Sequence, residues 1–288
     1  MPGTDGDELM KEEVRVEVAG RCICLKVHPV RKRSSKEADS SLLIDQIQND
    51  YKVFLSTREP AITIEINLTD KKYVNESSWA GLTISGSEIE LTDDYLQSKI
   101  DLAKGYGVAS ISLGGLKIGL GTLLRNLFTL TCLLLDEAIA LHAASILKEG
   151  RVYIFVGSSG SGKTTVAKLS KGYTVLSDDL AIIKPTDGSY FVFPTPHWLD
   201  MQTGDRENRP YPIGGLFKLV KDDKIYLKEI PPAKAIAEVF TLPHIPAQFQ
   251  PTQRLLDSFC DMLDKYSFYE LHFLKDKSFW RCIDGFDR

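Results

Sequence analysis

Residues 157–164, GSSGSGKT, constrain the fold most strongly, because they fit the pattern G-x-x-x-x-G-K-[ST] without a mismatch. The apolar run RVYIFV comes before them and the helix-forming run KTTVAKLS includes and follows their end. We therefore predict a strand, a glycine-rich turn and a helix in succession. In such a turn successive backbone amides point at one centre and bind phosphate oxygens. The sequence thus predicts an α/β unit that binds a nucleoside triphosphate.

The side chains of this loop extend the prediction to ATP and Mg²⁺. Lys163 can reach the β and γ phosphates as a point charge, and the Thr164 hydroxyl can ligate the Mg²⁺ that bridges them. No N-K-x-D or T-K-x-D box for guanine is present in the sequence. The predicted nucleotide-binding residues are Gly157, Ser158, Ser159, Gly160, Ser161, Gly162, Lys163, Thr164 and Thr165.

Two adjacent aspartates follow the loop at short range, since Asp178 stands only fourteen residues after Thr164. They come directly after YTVLS, which predicts a short, mostly apolar strand that ends facing the loop. Neighbouring side chains on a strand point in opposite directions, so two roles are expected. One carboxylate can hold Mg²⁺ while the other takes a proton from an incoming hydroxyl. A helix cap or turn formed by Asp178 and Asp179 is the alternative interpretation.

Composition narrows the class of protein. The net charge is −4 and the pI about 5.8, which argues against a broad basic surface for nucleic acid. The five cysteines include no Cys-x-x-Cys pair, and the odd count favours a reducing compartment. The most apolar stretch, LFTLTCLLL, is too short to span a bilayer, and the polar N-terminus is not typical of a signal peptide. We therefore expect a cytoplasmic protein with no nucleic-acid or membrane partner.

Periodicity predicts two domains, residues 1–105 and 106–288. The first is expected to be β-rich, with strands at EVRVEVAG, CICLKV, YKVFLS, AITIEIN and GLTISGSEIEL, and to recognise a substrate or partner. A further strand is expected at YGVASISL, and leucines at helical spacing predict a buried helix over residues 119–140.

The second domain is easier to read. IALHAASIL and RVYIFVG predict a hairpin whose second strand ends at the loop, and Gly172 is expected to stop the helix that follows. LFKLV and KIYLKEI predict short strands. Two helices are expected near the end of the chain, over residues 233–240 and 254–265.

The segment LHAAS…GRVYIFVGSSGSGKTTVAKLSKGYTVLSDDLAII resembles the catalytic domain of HPr kinase/phosphorylase and the HPr-kinase-related proteins. The resemblance is good over residues 138–184 and thin through about 240. It implies an α/β (α+β) fold for the second domain, similar to the nucleotide core of phosphoenolpyruvate carboxykinase. The first hundred residues, expected to be β-rich from their periodicity, show no such resemblance. The resemblance also implies a phosphotransferase that moves the γ-phosphoryl group of ATP to a serine of a protein or peptide.

The resemblance implies particular roles for several residues. Lys163 and His142 belong to the implied catalytic set, with a catalytic and a metal carboxylate at Asp178 and Asp179. We assign Asp178 as the proton acceptor and Asp179, with Thr164, as the Mg²⁺ ligand, and the reverse assignment of the aspartates stays open. A buried structural role is the alternative for His142, a lone histidine on an apolar strand.

The chain also departs from that family. Nothing matches the Glu-x-Arg-Gly-x-Gly-type segment linked with phosphorolysis, so we expect neither that activity nor HPr itself as an assured substrate. His197, Trp198, Arg206 and Arg209 are candidates to line the acceptor side or to stabilise transferred charge. Two other functions stay open, namely a small-molecule kinase and a nucleotide-sensing protein with little turnover. An oligomer is possible.

Overall fold

The computed structural model describes residues 13–28, 40–73, 81–135, 138–196, 206–240 and 252–286. The protein is mixed α/β and contains two sheets, which confirms the coarse fold class predicted from the sequence. The chain divides into two compact units, residues 1–128 and 129–288. The sequence-based boundary near residue 105 lies just before a strand, Tyr106–Ser112, that pairs within the first sheet.

The first unit contains a seven-stranded mixed sheet. Helix α1 (Ser40–Asp50) lies in this unit, and the strands are β1 (Glu13–Val18), β2 (Arg21–His28), β3 (Ile62–Thr69), β4 (Gly81–Ser85), β5 (Glu88–Thr92), β6 (Leu96–Asp101) and β7 (Tyr106–Ser112). The strand order is β1-β2-β3-β7-β6-β5-β4. β2, β3 and β7 run parallel, and every other pair is antiparallel. Alternate residues of β3, such as Ile62, Ile64 and Ile66, are buried, as expected for a sheet with one face on a core.

The predicted strand YKVFLS is wrong. Residues 52–54 form a short 3₁₀ helix after α1, and α1 itself was not predicted from the sequence. The buried side chains Leu43, Ile44 and Ile47 recur at helical spacing, and Tyr51 continues the series. A period of 3.6 therefore extends through this segment, and it outweighs the short aromatic and β-branched run that suggested a strand.

The division between the units falls within a long helix, α2 (Leu116–Leu134). The predicted helix over residues 119–140 is confirmed in its body but ends earlier, because Ile139 already begins the next strand. Within the part of the chain that the structure describes, one helical stretch, Leu113–Leu134, is long and apolar enough to cross a membrane by length and composition. Its most apolar window is 61% buried, which is typical of a core helix, so this is weak support for a membrane span.

The second unit contains an eight-stranded sheet with helices on it. Its strands are β8 (Ile139–Lys148), β9 (Arg151–Val156), β10 (Thr174–Ser177), β11 (Leu180–Thr186), β12 (Ser189–Phe193), β13 (Tyr211–Lys221), β14 (Tyr226–Ile230) and β15 (Phe268–Phe273). Its further helices are α3 (Lys163–Leu169), α4 (Pro232–Phe240), α5 (Gln253–Lys265) and α6 (Ser278–Phe286). The predicted β8–β9 hairpin, the strands at β10, β13 and β14, and the helices α3, α4 and α5 are confirmed. β15 and α6 were not predicted from the sequence.

β8 pairs with three other strands of this sheet, β9, β10 and β11. Ser145 of β8 pairs with Ile154 of β9 and also with Ser177 of β10, so β9 and β10 lie on opposite edges of β8. β11 continues along the edge that β10 occupies, since Leu180 pairs with His142. β9 in turn pairs in parallel with β13, and β13 pairs with β15.

Apolar clusters cover both faces of this sheet. One cluster joins β9 to α3 and α6 through side chains such as Phe155, Val166 and Phe279, and the other brings in α4 and α5. Strands buried on both faces are expected for a sheet layered with helices. This explains why β9 has no charged side chain from its second residue onward.

A buried lysine holds α6 against the β8–β9 hairpin. Lys148 Nζ is 2.6 Å from Asp284 Oδ1 and lies 5.7–5.9 Å from the ring centres of Tyr153, Tyr173 and Trp280. Aromatic faces attract a cation at this distance. The contact fixes the strand that ends at the phosphate loop.

Candidate phosphate-binding site

The glycine-rich loop connects β9 to α3, as the sequence predicts. Gly162 is the residue before α3 and has a φ of 116°, in the left-handed region that favours glycine. A Cβ atom at this position would lie 2.7 Å from Cζ of the buried Phe273 ring. Gly162 therefore meets two requirements, an unusual backbone conformation and a close contact with β15.

We predict that Gly162→Ala distorts the loop more than Gly160→Ala. Both residues have positive φ, but a Cβ at Gly160 would meet nothing within 4 Å. A strained backbone position costs about 1–3 kcal/mol, and only Gly162→Ala adds the contact with Phe273. Titration of each variant with ATP should show the larger loss of affinity for Gly162→Ala. Equal losses would mean that backbone strain alone determines the effect.

Lys163 turns back into the loop that precedes it. Its side chain is buried, with 7% of the residue exposed, and its Nζ donates to Gly157 O at 2.8 Å and to Ser158 O at 3.1 Å. Burial lowers the pKa of Lys163, and the negative charge of Asp179 opposes that shift. The lysine ammonium group and the Asp179 carboxylate therefore act on each other inside the same site.

Asp178 and Asp179 stand at a gap in a β-ladder. β10 and β11 follow one edge of β8 in succession, and the two aspartates are the residues between them. Ala143 of β8 donates its amide to Asp179 O at 3.1 Å, while on the other edge it is paired with Val156, the last residue before the loop. The phosphate loop and the aspartates therefore meet the same residue of β8 from opposite sides.

His142 contacts Asp179 through both the side chain and the backbone. Its Nδ1 lies 2.9 Å from Asp179 Oδ1 and 2.9 Å from Asp179 O. Each of the two side chains is 11% exposed. The histidine and Lys163 thus both contribute to the surroundings of this carboxylate, and His142 restricts its orientation.

Asp178 faces a different cation. Asp178 is 2% exposed. Burial lowers the pKa of Arg206 to about 10, and the negative charge of Asp178 opposes this shift. The guanidinium of Arg206 donates from Nη1 to Thr195 O at 3.2 Å. The two aspartates therefore interact with different partners. Both lie between β10 and β11, outside a strand, so the alternation expected from the sequence does not account for this difference.

The structure brings most of the predicted residues together. Lys163, His142 and the aspartates form one cluster, and Thr164 and Thr165 lie half-buried in the first turn of α3. Of the acceptor-side candidates, Arg206 joins this cluster. The described contacts of Arg209 are with Glu207 and the Tyr211 ring, on the exposed surface. His197 and Trp198 lie outside the described residues.

Two buried hydroxyl groups next to the aspartates were not recognised from sequence. Ser177 precedes Asp178, and Thr195 lies after β12. Both residues are fully buried and bond to the backbone around the acidic pair. Isolated small polar residues give no periodic signal, so only the SDD sequence could have drawn attention to Ser177, at the end of β10.

Within the described ranges, no group of three or more His, Cys, Asp or Glu side chains could hold a metal ion. Such a group is not required for Mg²⁺ at a nucleotide, because this ion is usually held by one or two carboxylates together with substrate phosphates. Asp179 and Thr164 suffice in number for that kind of site.

These observations define a two-unit α/β protein whose second sheet carries a phosphate-loop sequence beside a pair of carboxylates. Residues 123–285 match the family described as SynChlorMet cassette protein ScmC. The match spans more than half of the chain, and the protein belongs to this family. No curated protein matches the sequence.

Assignment to the HPr kinase family is therefore wrong. The resemblance rested on a histidine, a phosphate loop and an acidic pair within residues 138–184. A short set of residues of this kind indicates only the chemistry of a local site. It does not define the family to which a whole chain belongs.

Proposed function

We propose that this protein is an ATP- and Mg²⁺-dependent phosphotransferase that moves the γ-phosphoryl group to a serine hydroxyl of a protein or peptide. The second unit would then be a phosphate-loop kinase core. The observation that carries this proposal is the arrangement around β8, with the loop and Lys163 on one edge and two carboxylates on the other. A protein that only binds a nucleotide does not require both carboxylates.

The loop residues fit a polyphosphate. Ser161 Oγ is buried and has no hydrogen-bond partner within the described part of the chain, so it has a donor to offer. Lys163 supplies a positive charge in a buried setting, where electrostatic interactions are stronger than in water. Gly162 lets the backbone turn toward the start of α3. These features support phosphate binding by the residues predicted for it.

Asp179 and Thr164 would hold Mg²⁺, which neutralises charge on the transferring phosphoryl group when bound. The electrostatic interaction of Asp179 with Lys163 places the proposed metal ligand in the same site as the lysine that would contact the phosphates. His142 fixes the orientation of the Asp179 carboxylate through the contact at Oδ1. These side chains support the proposed Mg²⁺ site.

Asp178 is the proposed proton acceptor. The acceptor O–H bond breaks as its oxygen bonds to the γ phosphorus, the proton passes to Asp178, and the bond from phosphorus to the ADP oxygen breaks. Arg206 supplies a positive charge that interacts with Asp178 in this part of the site. Lys163 stabilises the charge on the phosphoryl oxygens, and such positioning and charge stabilisation contribute most of the catalysis expected here.

The test is incubation with γ-labelled ATP and Mg²⁺, with and without a lysate of the source organism, followed by mass spectrometry of labelled species. Label on a serine of a protein or peptide supports the proposal and names the acceptor. Label only on a metabolite would replace the protein acceptor by a small molecule. Tight ATP binding without transfer to any acceptor would overturn the phosphotransferase proposal in favour of a nucleotide sensor.

A further inference from the structure

Asp178 and Asp179 form the gap between β10 and β11, and buried hydroxyl groups hydrogen-bond to the backbone around this gap. Ser177 Oγ accepts hydrogen bonds from Asp179 N at 3.3 Å and from Leu180 N at 3.1 Å. These bonds join the Ser177 side chain to the backbone amides of the two residues that follow Asp178. Asp178 lies between the end of β10 and the start of β11, so the orientation of its side chain depends on how both strand ends are held.

Thr195 holds the other end of the gap. It is 0% exposed, and its Oγ1 donates to Leu180 O at 2.6 Å. Its own carbonyl oxygen accepts from Arg206 Nη1 at 3.2 Å. One residue therefore bonds to the backbone that follows the aspartates and also to the guanidinium that acts on Asp178.

We propose that Thr195 is a positioning residue for the transfer step, because it joins the acidic gap to Arg206. This inference rests on the proposed phosphotransferase function. Thr195 acts through Leu180 and Arg206 and needs no contact with the nucleotide or the acceptor.

The hydroxyl group should matter more than the methyl group. Without the hydroxyl, Leu180 O loses a buried donor, and an unsatisfied buried carbonyl costs about 1–3 kcal/mol unless the backbone shifts. A shift at Leu180 would also move Asp179, the preceding residue. Displacements of about 1 Å at positioned catalytic groups can cost about 10²-fold in rate.

The experiment compares Thr195→Val, which keeps the shape and loses the hydroxyl, with Thr195→Ser, which keeps the hydroxyl. Thr186→Val, on the exposed end of β11, is the matched control. We expect Thr195→Val to lower kcat by roughly 10- to 100-fold, with KM for ATP unchanged within about twofold. Thr195→Ser and Thr186→Val should stay close to wild type.

A second readout does not require turnover. Amide hydrogen exchange at Asp179 and Leu180 should accelerate in Thr195→Val and not in Thr195→Ser, because only the former loosens the gap. Melting temperatures of all variants establish that they are folded. Should Thr195→Val fail to fold, Ser177→Ala loosens the other end of the same gap and should lower kcat with the same unchanged KM.

The outcomes separate this inference from the proposed function. If the wild-type protein transfers phosphoryl groups and Thr195→Val matches it in kcat and in exchange, the positioning role is refuted. Equal impairment of Thr195→Ser and Thr195→Val would assign the effect to packing. If the wild-type protein transfers nothing, the proposed function fails, and selective exchange at Asp179 and Leu180 still decides whether Thr195 holds the gap.

Discussion

Replacing Lys163 with alanine should reduce phosphoryl transfer by about 10²- to 10³-fold or more and should weaken ATP binding as well. The size of the kinetic effect follows from removing a preorganised donor to developing charge. Binding suffers for two reasons. The positive charge at the phosphates is lost, and the carbonyls of Gly157 and Ser158 lose the ammonium group to which they are bonded. Labelled-ATP transfer and calorimetric titration measure the two effects separately.

Lys168→Ala is the matched control for this variant. Lys168 lies on the same short helix but is exposed, so the substitution removes an equal charge from α3 without touching the loop. Wild-type transfer by Lys163→Ala, with Lys168→Ala also unchanged, would exclude Lys163 from the transfer step. A similar decrease in both variants would indicate a general effect of charge on this helix.

Replacing Asp178 with asparagine should leave ATP affinity nearly unchanged and lower kcat by about 10²- to 10⁴-fold, the usual range for a lost general base. Asparagine has almost the same shape but is a poor proton acceptor. The substitution also removes the negative charge that faces Arg206, so the melting temperature must be measured beside the rate. The expected signature is a fall in kcat at an unchanged KM for ATP.

Asp179→Asn distinguishes the two assigned roles. A metal ligand should contribute to the Mg²⁺-dependent part of ATP affinity, which is measured by titration with and without Mg²⁺. If Asp178→Asn loses this part and Asp179→Asn keeps it, the roles are reversed. Turnover of Asp178→Asn at the wild-type rate would show that Asp178 is not the base.

The sequence predicted the parts of the site that are local. A complete loop motif between an apolar run and a helix-forming run is sufficient to place Lys163, because strand, turn and helix are consecutive. The hairpin of β8 and β9 was predictable for the same reason. Asp178 and Asp179 were recognisable as a pair at the end of a strand, because that strand, β10, is a short apolar run directly before them.

The long-range parts were not predictable in this way. Nothing in the sequence states that β10 and β11 share one edge of β8, or that Ala143 meets Val156 and Asp179 at once. Thr195 acts on Leu180 through a contact that spans fifteen residues. Such pairings are decided by tertiary packing, which a pattern along the chain does not contain. The family assignment failed for a related reason, since it extended a local set of residues to a whole chain.

The position of β8 between the phosphate loop and the aspartates fixes the distance between them. Neighbouring strands lie about 4.8 Å apart, so the backbone of Val156 and that of Asp179 are separated by about 10 Å across Ala143. This span comes from the hydrogen-bond repeat of a sheet and not from the chain that links α3 to β10. Insertions in the exposed turn at Lys171 and Gly172 should therefore leave the span intact. A single residue inserted into β8 between Ala143 and Ala144 would shift the strand register on both edges of β8. The loop and the carboxylates would then both be misaligned.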